Sequence, residues 1–130
     1  IFQPLSIPSV IYTNPEIAWV GYTEKELKNK KINYDKATFP WSASGRAMTT
    51  GSTIGKTKIL TSKKDLSILG VGISGSNAGE LISEAMLAIE MGANAEDISL
   101  TIHPHPTLSE TIANASEMIT KTITDLYIKN

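Results

Sequence analysis

A chain of 130 residues, 41% hydrophobic and 19% charged, has the composition of one globular domain and length enough to bury roughly two thirds of its unfolded surface. Its formal net charge of -1 gives no field to draw it to nucleic acid or an acidic membrane surface, and no apolar run approaches the roughly 18 residues of a membrane span. It has no cysteine, which excludes a disulfide framework and any redox dithiol of its own.

In chain order, Val10–Tyr12 and Ile17–Val20 read as short strands separated by the turn signal Asn14-Pro15. Thr23-Glu24-Lys25-Glu26 is a capping box opening a short helix to about Asn29. Tyr34 to Phe39 alternates loosely and stops at Pro40, as a strand would, and the Ser, Gly and Thr of Trp41–Ser52 read as a loop with room for one helical turn. Lys56–Leu60 and Leu66–Ile73 are apolar runs about the turn Ser62-Lys63-Lys64-Asp65, which predicts a hairpin.

At Asn77 the period changes. Leu81, Ile82, Ala85, Leu87, Ala88 and Ile89 recur at roughly helical spacing up to Met91, with Gly92 as the stop. Asn94 caps a short helix through Ser99, and a last helix runs from near Thr107 past Met118 with Leu108, Ile112, Ala115 and Ile119 on one stripe. Strands first and helices after predict an α+β domain, an antiparallel sheet packed with helices.

Two glycine patterns are decoys. Gly70-Val71-Gly72-Ile73-Ser74-Gly75 spells GxGxxG, but a dinucleotide site also needs a second strand ending in an acid after the helix, and Ala93–Asp97 offers none. These glycines read instead as close backbone packing at a strand-to-helix turn. Gly51–Thr57 mimics a phosphate loop, yet it is one residue short between its glycines and leads into a strand. No metal site is expected.

The most informative stretch is His103-Pro104-His105-Pro106-Thr107-Leu108-Ser109-Glu110, which holds both histidines of the chain. Each histidine precedes a proline and is kept out of helical conformation. An imidazole with a nearby acid suits general acid-base chemistry near neutral pH. Thr107-x-x-Glu110 is equally a capping box, in which the glutamate merely satisfies the amide that opens the last helix. Residue types alone leave both readings open. Elsewhere, Trp19 and Trp41 read as core or interface anchors, Arg46 as a loop or surface arginine, and Glu80 and Glu84 as a solvated or interface helix face.

Four stretches in order carry a resemblance. His105-Pro106-Thr107-Leu108-Ser109-Glu110 resembles the HPTxxE signature of the flavoprotein disulfide reductases, in the form found in dihydrolipoamide dehydrogenases. Tyr12–Gly21 resembles (F/Y)TxPExAxVG, Phe39–Ala47 is similar to FPFxANSRA, and Ala78-Gly79-Glu80 through Glu96-Asp97-Ile98 is similar to the AGE…ED helix ahead of the histidine. Family members more often carry alanine where Pro104 stands, so the backbone is expected to be stiffer here, with His103 in a structural or supporting role.

The resemblance implies that residues 1–130 are a single C-terminal dimerisation domain, a fragment of a longer flavoprotein; the opening Ile1 in place of methionine agrees with this expectation. It implies FAD and NAD in the full-length enzyme, neither bound by this fragment, and a homodimer in which this domain completes the partner's FAD/disulfide site. His105 would be the acid-base group, Glu110 would hold its imidazole, and the backbone of His105 and Pro106, joined by a cis bond, would approach the partner's flavin. The implied reaction is NAD-dependent oxidation of dihydrolipoyl groups on the lipoyl domains of 2-oxo acid dehydrogenase complexes, in a bacterial cytoplasm, with the fragment inactive alone. The competing readings are the same domain of another flavoprotein disulfide reductase, such as a glutathione reductase, against which Leu108 and Phe39–Ala47 argue, and a stand-alone, non-catalytic dimerisation module.

Overall fold

Alternation along the strands decides which face is buried. In β2 (Glu16–Gly21) Ala18 and Val20 point inward while Ile17 and Trp19 point out. In β3 (Tyr34–Pro40) the inward residues are Ala37 and Phe39. The computed structural model describes residues 1–127, and in it β1 (Ser9–Ile11), β2, β3, β4 (Lys56–Ser62) and β5 (Ile68–Gly75) form a five-stranded antiparallel sheet ordered β1-β2-β5-β4-β3. The register aligns two inward rows, Ala18–Ile73–Thr57–Phe39 and Val20–Val71–Ile59–Ala37. These rows are the floor of the core, and every residue in them is buried.

Two helices cover this floor. Helix α3 (Ala78–Glu90) lies over β2 and β5, and helix α5 (Glu110–Thr120) over β3 and β4. From above come Ile82 and Ala85 of α3 and Ile112 and Ala115 of α5; each fully buried isoleucine contributes about 1.5–3 kcal/mol. Helix α4 (Ala95–Leu100) packs on the far side of α5, so α5 is buried over a wider arc than one apolar stripe allows, and Thr111, Asn114 and Ser116 are buried with it. The architecture is the α+β class expected, an antiparallel sheet packed with helices.

The opposite face carries helix α1 (Glu24–Asn29), opened by the Thr23/Glu26 capping box. One Glu24 oxygen accepts from Lys58 at 2.9 Å, and the other accepts from the Tyr34 hydroxyl at 3.0 Å and Lys36 at 3.2 Å. The Lys58 ammonium, with Tyr34 and Lys36 helping, outweighs burial and pulls the Glu24 carboxyl down to about 2 from 4.5. No described helix is long and apolar enough to cross a membrane.

Three local expectations are corrected. Trp41–Ser52 is more ordered than a loop: a 3-10 turn at Trp41–Ala43 leads into helix α2 (Gly45–Thr49), because the Ser44 hydroxyl caps the Ala47 amide at 3.3 Å and Ala47 is fully buried. Strand β5 begins at Ile68 rather than Leu66, since Leu66 has φ 59° and Asp65 ties back the amide of Ser67. The last helix begins at Glu110 rather than near Thr107, because the Thr107 hydroxyl donates to Pro104 O at 2.6 Å and pairs with Ser109 instead of accepting from the Glu110 amide.

The GxGxxG glycines lie inside β5 and not at a phosphate-binding turn. A Cβ on Gly70 would stand 2.1 Å from Tyr22 O, and one on Gly75 (φ 157°) 2.4 Å from the Trp41 ring, so close approach of backbone and ring is what these positions require.

Candidate active site

The segment between α4 and α5 carries the candidate residues. Asn94 and Asp97 form a capping box that fixes the start of α4, and the chain leaves α4 at Thr101 in extended conformation. Two prolines then keep it extended as it crosses to α5, with the His105–Pro106 bond cis. Pro106 rests beside α2: a Cβ built on Gly45 would be 4.0 Å from its Cβ. The Phe39–Ala47 and His105–Glu110 stretches, distant in sequence, therefore meet. Arg46, on α2, is exposed.

His105 Nδ1 lies 2.8 Å from Glu110 Oε1, and Glu110 Oε2 accepts from the Thr107 amide at 2.8 Å. Both readings of the glutamate are thus physically present. One oxygen orients the imidazole and the other holds the amide, which is half of a capping box. A carboxylate can only accept, so the proton between Nδ1 and Oε1 sits on Nδ1 of the neutral ring, and the lone pair falls to Nε2. The His105 side chain is 76% exposed while Glu110 is 21% exposed, a lone pair presented outward on a seated carboxylate.

His103 is built the other way. Its side chain is only 8% exposed and both nitrogens face acceptors: Nδ1 is 2.8 Å from Thr101 O and Nε2 is 2.5 Å from Glu84 Oε1 on α3. Burial works against a charge on this ring, but the Glu84 carboxylate, the Thr101 carbonyl and the more distant field of Glu110 outweigh it and raise its pKa above the ordinary imidazole value. Nearby on α5, burial and then Asp125 raise the Glu117 carboxyl, with His103 opposing. With both nitrogens engaged, His103 has no free lone pair to offer.

A buried polar chain fixes the level of α5. Trp41 Nε1–H donates to Thr57 Oγ1 at 3.0 Å, and the Thr111 hydroxyl donates to Leu108 O at 2.8 Å. Thr111 has then spent its proton, so Thr57 donates across the 2.8 Å between the two hydroxyls. This run crosses from the 3-10 turn through β4 to Thr111 in the first turn of α5, six residues after His105.

The sequence reading therefore placed His105, Pro106 and Glu110 together, as the structure has them. It missed that Glu84, half-buried on the helix face read as solvated or interfacial, is partnered to His103, whereas Glu80 is exposed. It also missed the roles of Thr57 and Thr111. No local spacing marks a contact across 19 or 54 residues; the sequence signal for Thr57 is only a polar residue at an inward position of a strand. Trp41 is a core anchor as expected, and Trp19 is half-buried on the outer sheet face.

Residues 7–116 match the family described as pyridine nucleotide-disulphide oxidoreductase, dimerisation domain. The chain belongs to that family. The domain is 62% identical over 125 residues to a dihydrolipoyl dehydrogenase of Buchnera aphidicola from Schizaphis graminum, and 55% identical to that of Vibrio cholerae; each alignment covers 96% of this chain and 26% of the relative. The domain thus spans about a quarter of the length of the curated relatives it matches. Among solved structures, LpdA from Mycobacterium tuberculosis superimposes with a TM-score of 0.85 at 21% identity, over 91% of this chain and 26% of that one. The HOCl-induced flavoprotein disulfide reductase RclA from Escherichia coli gives 0.84 at 22% identity, over 88% and 26%. At those identities the likeness is one of fold.

Proposed function

We propose that residues 1–130 are the C-terminal dimerisation domain of a dihydrolipoyl dehydrogenase, and that His105 serves as the acid-base group of an active site completed across a homodimer. The observation that carries this is the His105–Glu110 pair: Nδ1 held at 2.8 Å on a ring exposed enough to meet another subunit. The dihydrolipoyl relatives named above support the substrate class. The family's FAD and NAD would be held by the parts of the enzyme outside this domain, where they would supply the electron-accepting chemistry for a dithiol. This chain fits a completing role, since its GxGxxG glycines are locked within β5 and it has no cysteine.

The domain's own contribution is proton handling. His105 Nε2 takes the proton of a dihydrolipoyl thiol, and the thiolate so formed is the nucleophile for disulfide exchange. Glu110 stabilises the resulting imidazolium and returns the ring to the same tautomer afterwards. The exposed cis His105–Pro106 backbone is the part that approaches the partner's flavin. In a bacterial cytoplasm the partners would be lipoyl domains of 2-oxo acid dehydrogenase complexes. Self-association uses α3, on which Leu87 is 62% exposed and Met91, just past its end, 76%.

The test is His105→Gln in the full-length enzyme. Turnover with dihydrolipoamide should fall about 10²- to 10⁴-fold, the range for losing general acid-base catalysis, with flavin content and NADH–quinone activity retained. Wild-type turnover in that variant would overturn the proposal.

A further inference from the structure

From the acceptors around His103 we infer that it is a positioning residue, an imidazole clamp tying the His105-bearing segment to helix α3 through Glu84. The inference rests on the reading of His105 given above. Among residues 101–106 only His103 is withdrawn from solvent; Thr101, Ile102, Pro104, His105 and Pro106 are all exposed. The segment has no regular secondary structure, so its height over the domain is set by few contacts. At its α4 end this is the Thr101 hydroxyl on Asp97 O, at its α5 end the His105–Glu110 and Thr107–Glu110 bonds with Pro106 beside α2, and at its middle the Glu84–His103–Thr101 bridge.

The bridge reaches between elements that otherwise meet little. Glu84 lies in the middle of α3, the helix over β2 and β5, whereas the segment joins α4 to α5 over the other half of the sheet. Thr101 O can only accept, so Nδ1 carries a proton. Nε2 then faces a carboxylate, and one more proton must lie between them. The ring is thereby gripped at both nitrogens, two residues before His105. Loss of the grip frees the segment to shift by about 1 Å, which is enough to cost about 10²-fold where a proton must pass between fixed atoms.

An amide at position 84 retains the grip, since it donates to Nε2 of the neutral ring while Nδ1 still donates to Thr101. A leucine there abolishes it. In the full-length enzyme, Glu84→Leu and, independently, His103→Gln should lower kcat with dihydrolipoamide about 10- to 100-fold. KM for NAD and NADH–quinone activity should stay at wild-type values, and Glu84→Gln should recover most of the turnover. A merely structural residue would lower the melting temperature of all three variants and leave kcat alone. The inference is overturned if Glu84→Leu or His103→Gln, folded and carrying flavin, turns over dihydrolipoamide like wild type while His105→Gln does not. If His105→Gln is itself fully active, the parent reading fails first.

Discussion

Replacing Glu110 with glutamine separates its two tasks. The carboxylate uses one oxygen for His105 Nδ1–H and the other for the Thr107 amide, each at 2.8 Å. An amide has one accepting oxygen and one donating NH₂, so it cannot serve both donors. With its oxygen on Thr107, the NH₂ faces His105 Nδ1 and drives the ring proton to Nε2, removing the lone pair the proton transfer needs. With its oxygen on His105, the NH₂ opposes the Thr107 N–H and leaves that amide unsatisfied, at a cost of about 1–3 kcal/mol. The first orientation wins by that margin, and the competent tautomer becomes about 10- to 100-fold rarer at 1.4 kcal/mol per factor of ten. Turnover of full-length Glu110→Gln should fall by that factor, less than for His105→Gln. Stopped-flow reduction of the flavin by dihydrolipoamide across pH, with thermal melts on the same samples, reads both tasks. A lower melting temperature with an unmoved pH–rate profile would refute this reasoning and leave Glu110 a helix cap.

Glu24 should act through pH: its folded pKa lies below its unfolded one, so its stabilisation is complete above about 4.5 and is lost as pH falls towards 2. Glu24→Gln should therefore cost about 1 kcal/mol at pH 7, after solvent screening, and little at pH 2, as denaturant melts at the two pH values would show. Trp41→Phe should keep the ring in the core but leave Thr57 without its donor, for about 1 kcal/mol in chemical denaturation. Gly70→Ala should cost more than about 3 kcal/mol, since its Cβ would fall 2.1 Å from a backbone oxygen with no flexible side chain to yield; soluble expression at wild-type level with an unchanged melt would contradict the packing.

Local chemistry made most of the fold legible. The Thr23 and Asn94 caps, the Gly92 stop and the strand alternation are signals within a few residues of what they specify, and each element they mark is present. The elements misread are those decided by a competing local bond: the Thr107 hydroxyl turning to Pro104, Ser44 capping α2, and Asp65 bending the chain before β5. At the candidate site the same rule holds. His105 and Glu110 are five residues apart and were legible as a pair, whereas Glu84 and His103 meet only because α3 and the α4–α5 connection cross over one sheet.

On the proposed function, His105 of one subunit serves a site whose redox cysteines lie in the other. A purified heterodimer of the full-length enzyme tests it most directly, one subunit carrying His105→Gln and the other lacking its cysteine pair, both parent homodimers being inactive. If the site is shared, the heterodimer contains one intact site of two and recovers roughly half the turnover per dimer with dihydrolipoamide, as closed two-fold symmetry requires. A heterodimer as inactive as its parents would contradict the claim.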